Sequence, residues 1–150
     1  MEREALIDYK IKASWHAIAR MYNQYAVQHH ITTSMAFVLL NIDSQEGTPA
    51  TKIAPLMGME SRSLTRILKS MEDKKLIDRK RDSNDGRMVK IFLTDTGKQK
   101  KELAKEKVRT FNTFLRDKIP KKNLQIFFKV MDKINFYIEN GEIKKHLNAD

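Results

Sequence analysis

Residues 61–97 read SRSLTRILKSMEDKKLIDRKRDSNDGRMVKIFLTDTG, and two periods meet inside that stretch. In its first part Leu64, Ile67, Leu68 and Met71 recur at i, i+3, i+4 and i+7. That is the spacing of one helix face, so a helix is predicted from Ser61 to Lys75. At about 100° per residue, Arg62, Arg66 and Lys69 fall opposite the apolar stripe, with Ser61 and Thr65 flanking them. Beyond Lys75 the period shortens. Residues 76–81 and 88–93 have strand character and enclose Asp82 to Arg87, a run of turn-forming residues. A helix with one core face and one basic face therefore leads directly into a hairpin with a charged tip.

Working upstream, residues from about Ala5 to His29 carry Leu6, Ala13, Ala17, Met21 and Tyr25 at spacings of four or seven, a long first helix. The hydroxyls of Thr32, Thr33 and Ser34 offer an N-cap to a second helix with Met35, Val38, Leu39 and Ile42 on one face. Residues 44–49 read as a loop because of Gly47 and Pro49. Ile53, Leu56 and Met57 then mark a third, short helix that stops at Gly58. Pro55 falls within this helix, and with Thr51 as the N-cap it would lie in the second turn as a small distortion. Glu60 stands where a neutral N-cap for the next helix is common.

Downstream, a basic helix is expected from Lys98 to Leu115, carrying Leu103, Val108 and Phe111 and ending before Pro120. A last helix bears Leu124, Phe127, Phe128, Met131, Ile134 and Ile138 and closes at Gly141, after which the tail to Asp150 frays or adds a turn. The order is helix, helix, short helix, helix, hairpin, helix, helix. It places a helix-turn-helix immediately before a charged hairpin, the layout of a winged helix.

Two motifs make a resemblance specific. Asp85-Gly86-Arg87 followed by Leu93-Thr94 and Gly97 is similar to the wing signature of the MarR family. Ser63, Leu64, Thr65 and Arg66, through Leu68 to Leu76-Ile77, resemble that family's recognition helix and first wing strand. The resemblance implies a mainly α (α+β) winged helix-turn-helix over residues 31–97, with residues 1–30 and 98–150 forming a helical dimerisation region. It also implies a transcriptional regulator, by family expectation a repressor, that binds a pseudo-palindromic site on double-stranded DNA as a homodimer.

On that reading the helix from Ser61 enters the major groove, where Arg62 and Arg66 can pair with guanine edges and Ser61, Ser63 and Thr65 with phosphates or bases. Lys69 meets a phosphate. Arg87 reaches the minor groove, and Asp85, two positions earlier, is placed to hold it by a charge-assisted bond. Leu6, Ile7, Ile11 and Ile18 join the two C-terminal apolar stripes as candidate intersubunit packing. Relatives commonly bind small aromatic or anionic effectors, and Trp15, His16 and Tyr22 are the side chains that could line such a site.

Composition narrows the alternatives. Of the net charge of +10, residues 1–50 contribute four Lys/Arg against five Asp/Glu, whereas residues 61–90 contribute ten against five. A basic field of this kind attracts phosphate backbones but also serves solubility, so charge alone leaves the partner open. The absence of cysteine excludes disulfides, thiolate zinc sites and thiol redox switches. His16, His29, His30 and His146 could bind a metal, but His29-His30 also suits a helix end, and no metal site or cofactor is assigned. No Gly-rich phosphate loop, H-E-x-x-H or Gly-x-Ser-x-Gly appears, so the chain is not expected to be an enzyme. No run approaches the roughly 20 apolar residues of a membrane span and the start lacks a signal-peptide core, so the expected location is the cytoplasm. Two other functions stay open: a nonspecific architectural or RNA-binding protein, and an effector-binding protein with a vestigial DNA-binding lobe.

Overall fold

The computed structural model describes residues 2–82 and 85–149. By contacts the chain divides into two compact units, Met1–Lys107 and Val108–Asp150, described separately below.

In the first unit a 3-10 turn, Arg3–Ala5, precedes α1 (Ile7–Gln28), so the long first helix starts two residues later than its pattern suggests. Then come α2 (Thr33–Leu40), β1 (Thr48–Pro49), α3 (Ala50–Leu56), α4 (Ser61–Asp73), β2 (Ile77–Arg81) and β3 (Val89–Leu93). As the hydroxyl run suggested, Thr32 caps α2, its Oγ1 accepting the Met35 N–H at 3.1 Å.

Three helix ends share one device. After α3, Gly58 is left-handed (φ 61°), the Met59 N–H reaches the Ala54 carbonyl and the Gly58 N–H reaches that of Pro55. This is a Schellman cap at the predicted stop. The same pair of bonds ends α1 at His30 (φ 58°) and α4 at Lys75 (φ 55°), where a residue other than glycine takes the left-handed conformation.

The sheet has the order β1-β3-β2 and is antiparallel throughout. Ile77 lies opposite Leu93 and Arg81 opposite Val89, which confirms the hairpin. The strand β1 corrects the sequence reading of residues 44–49 as loop: Thr48 pairs with Ile91 and Pro49 with Lys90. Two residues are too few to show an alternation, and a proline is compatible only with an edge such as this. The N-cap of α3 is Pro49 rather than Thr51, so Thr51 lies inside the helix and Pro55 sits near its end, not its start.

Val38, Leu39, Ile42, Ile53, Leu64, Leu68, Met71, Ile77 and Ile91 close one core among α2, α3, α4 and the sheet. At the wing exit, α5 (Asp95–Lys118) begins three residues before Lys98, because Thr94 caps it: Thr94 Oγ1 accepts the Gly97 N–H at 3.0 Å.

The second unit contains the rest of α5, then α6 (Lys121–Glu139) and a short α7 (Glu142–Leu147) in the predicted tail. None of the residues 108–149 is buried. Among the described residues no helix is long and apolar enough to cross a membrane.

Candidate nucleic-acid interface

The apolar stripe of α4 goes down into the core, with Leu64, Leu68 and Met71 at most 3% exposed. That fixes the helix rotation, and Ser61, Arg62, Ser63, Thr65, Arg66 and Lys69 are all exposed. Arg62, Arg66 and Lys69 stand at i, i+4 and i+7 and so form one row. Glu60 gives the helix no side-chain cap, but its main-chain carbonyl accepts the Ser63 and Leu64 N–H groups at 3.1 and 3.2 Å. Thr65 donates its hydroxyl hydrogen to the Ser61 carbonyl at 2.9 Å, which leaves only its oxygen lone pairs for an incoming group.

The far end of α4 is tied to the wing and to α5 at Thr94. Its Oγ1 donates to the Lys75 carbonyl at 2.7 Å, and its N–H donates to the Leu76 carbonyl at 3.1 Å. Gly97, one turn into α5, is buried against the same carbonyl: a Cβ there would lie 1.9 Å from Leu76 O. Arg79 on β2 adds an ion pair to Glu72 on α4, Nε to Oε2 at 2.6 Å. Helix and wing are thus held together by bonds that Thr94 and Gly97 make possible.

At the wing tip, Asp85 does hold Arg87, but through the backbone: its Oδ1 accepts the Arg87 N–H at 3.0 Å, and among the described residues no ion pair joins it to the guanidinium. The bond is charge-assisted through the carboxylate, and the tight turn presents the amide, not the side chain, to it. Asp82, which the sequence offered only as a turn former, does as much. Its Oδ1 accepts the Asp85 N–H at 3.2 Å and its Oδ2 pairs with Lys90 Nζ at 3.3 Å. Ser83 and Asn84, also assigned to the turn, lie outside the described residues.

The cations therefore fall into two sets. Arg79 and Lys90 have carboxylate partners, and Lys80 lies over the Phe92 ring at 5.3 Å. Arg62, Arg66, Lys69 and Arg87 are exposed and, among the described residues, have no ion-pair partner. Intramolecular structure accounts for the first set. The second set holds four charges in solvent with no carboxylate paired to them among the described residues.

Of the three candidate effector residues, two come together around a third ring that the sequence reading missed. Trp15 stacks on Phe37 at 5.8 Å and Tyr22 meets Phe37 edge-on at 6.1 Å. Burial raises the Tyr22 pKa above the ordinary phenol value. Trp15 remains 51% exposed, and His16, one residue along, is exposed and takes no part in the ring contacts. Among the described residues no three His, Asp or Glu side chains are grouped to hold a metal ion.

Residues 31–89 match the model of the MarR family. Over 98 residues the chain is 33% identical to the HTH-type transcriptional regulator SarZ of Staphylococcus aureus, covering 65% of this chain and 66% of that protein. Over 90 residues it is 34% identical to the HTH-type transcriptional regulator TtmR of Methylorubrum extorquens, covering 60% and 46%. The chain thus spans between about half and two thirds of these curated relatives. Among solved structures, the S. aureus MepR–DNA complex superposes with a TM-score of 0.79 over 86% of this chain and 96% of that one, at 21% identity. The transcriptional regulator SlyA gives 0.81 over 93% and 99%, at 18% identity. At these identities the structural likeness speaks for the winged-helix fold.

Proposed function

The chain belongs to the MarR family, and from that premise we propose that it is a non-catalytic, sequence-specific DNA-binding regulator acting as a homodimer in the cytoplasm. The observation that carries this reading is the set of unpaired cations. Arg62, Arg66 and Lys69 form one row on a helix whose other face is locked in the core, and Arg87 stands at the tip of the adjoining wing. A row of this kind fits the major groove: Arg62 and Arg66 offer bidentate donors to guanine O6 and N7, and Lys69 offers a point charge to phosphate. Ser61, Ser63 and the main-chain amides of Ser61 and Arg62 face the sugar-phosphate backbone. Arg87 enters the minor groove, with Asp85 and Asp82 shaping the turn that presents it.

Residues 1–30 and 98–150 supply the dimer, with Phe127, Phe128, Phe136 and Ile138, each 46–59% exposed in the single chain, on its apolar surface. Two recognition helices about 34–36 Å apart read one inverted repeat, and occupying a promoter in this way represses it. An effector belongs at the Trp15, Tyr22 and Phe37 rings, where a flat aromatic anion could stack, with His16 at the margin.

The test is selection of bound sequences from a random duplex library by the purified protein and by Arg87→Ala. An inverted repeat with half-sites one helical turn apart, weakened in flanking A·T positions for the variant, is the expected result. Steep salt dependence with no enriched sequence would replace this reading with nonspecific nucleic-acid binding, and no binding at low salt with a vestigial lobe.

A further inference from the structure

Among the described residues Lys101 is the only charged side chain that is buried, 7% exposed, and none of the contacts above uses it. It lies on α5, and its Nζ donates to the main-chain carbonyl of Ile42, 59 positions earlier. Ile42 follows Asn41, the C-cap of α2, so the acceptor stands just beyond the negative end of a helix. Burial, with the Lys105 charge behind it, lowers the Lys101 pKa, while Asp43 and Glu102 hold it up. An apolar side chain of the same length would occupy this space without that desolvation cost. What the lysine adds over it is a directional bond.

The acceptor heads a short junction on which both reading elements depend. Asp43 donates its N–H to Thr48 Oγ1 at 2.8 Å, and its Oδ1 accepts the Gln45 and Glu46 N–H groups at 2.8 Å each. Thr48 then opens β1 opposite Ile91 of β3, the inner strand of the wing, and Pro49 is the N-cap of α3. The placement of residues 42–49 therefore sets where α3 begins and how the wing strand lies, and α4 packs on α3.

We infer that Lys101 is a positioning residue for DNA reading: its ammonium, seated on the Ile42 carbonyl, fixes the register between α5 and the 42–49 junction that carries α3 and the wing sheet. Since α5 continues unbroken from Asp95 to Lys118, a shift of that helix along its axis acts on the junction through this bond. The inference rests on the DNA-binding reading above.

The test compares full-length wild type with Lys101→Met, which keeps the length and removes the donor. Amide hydrogen exchange is followed over residues 42–49, and affinity is measured for the duplex selected by the wild type. Expected for the variant are exchange in the junction about tenfold or more faster, with α1 and α6 unchanged, and affinity down about tenfold, as for one lost charge-assisted bond. Unchanged exchange overturns the inference. Faster exchange with unchanged affinity overturns it too, reducing Lys101 to a packing role. Faster exchange in the variant together with a wild type that binds no duplex retains the bond but refutes the DNA reading, and with it the positioning role. Should the variant not fold, NMR of the wild-type lysine side chains decides: a Lys101 ammonium whose protons exchange as fast as those of surface lysines overturns the bond itself.

Discussion

From Ile31 to Leu93 the first unit closes a continuous apolar core, with Val38, Leu39, Ile53, Met71 and Ile91 fully out of solvent. From residue 108 to 149 no side chain is buried, although Phe127, Phe128, Val130 and Ile138 are as apolar as anything in that core. Helices of similar hydrophobic content are thus buried in one region and left partly or wholly in solvent in the other. The winged lobe closes its core within one chain, whereas the dimer proposed above draws on the exposed apolar side chains of α6. On that proposal folding and association are divided along the sequence, and each half of the division can be attacked separately.

The largest effect is expected where association resides. The double substitution Phe127→Asp and Phe128→Asp should turn the dimer into a monomer by analytical ultracentrifugation and lower operator affinity by about 10²- to 10⁴-fold through lost bivalency. The wing hairpin should keep its NMR dispersion. A dimer that survives would move the interface away from α6. Leu39→Ala attacks the other half and should cost about 2–5 kcal/mol in denaturant unfolding. That loss should not depend on protein concentration, and a loss that grows on dilution would break the comparison.

Gly97→Ala probes the joint between the helix and the wing. Alanine ordinarily favours a helix interior over glycine by roughly 1 kcal/mol, but here its methyl meets the Leu76 carbonyl, so a destabilisation of about 1–3 kcal/mol is expected by calorimetry. The reading residues should contribute to neither half. Arg66→Ala should leave the melting temperature unchanged while losing about 1–3 kcal/mol of binding and relaxing preference at one base pair. Lys69→Ala should weaken all sequences alike and reduce the salt slope by about one unit.

The smallest effect concerns acid. Two backbone N–H groups, Glu46 first and then Gln45, lower the Asp43 pKa. A carboxyl whose folded pKa lies below its unfolded value stabilises above the unfolded value, and that contribution is lost as pH falls through the folded one. Asp43→Asn should therefore flatten the acid limb of the stability profile below about pH 4. An unchanged acid limb would mean that the 43–46 turn opens without consequence.

The lobe was legible because its signals are periodic. The Leu64 to Met71 stripe gave α4 and its basic face, the turn cluster gave the hairpin, and Gly58 gave the end of α3. What escaped lacks such a signal. A two-residue strand has no period, which hid β1. His30 and Lys75 take the left-handed conformation with side chains that do not advertise it. Phe37 sits in an α2 that is apolar nearly all round, so nothing marked its contact with Trp15 and Tyr22. Lys101 sits in a helix full of lysines, and only a carbonyl 59 residues away distinguishes it. In the site, residue types fixed which face of α4 is basic, but the partner of Asp85 depended on turn geometry.

The three-stranded sheet has one further consequence. Its two outer strands refuse neighbours: β1 is two residues long and ends in Pro49, which has no N–H to give, while β2 lines its edge with exposed Arg79, Lys80 and Arg81. Among the described residues, copies crowded side by side therefore meet strand edges poorly suited to pairing. The proposed pairing through helices can close at a finite number of subunits instead of growing into a fibre.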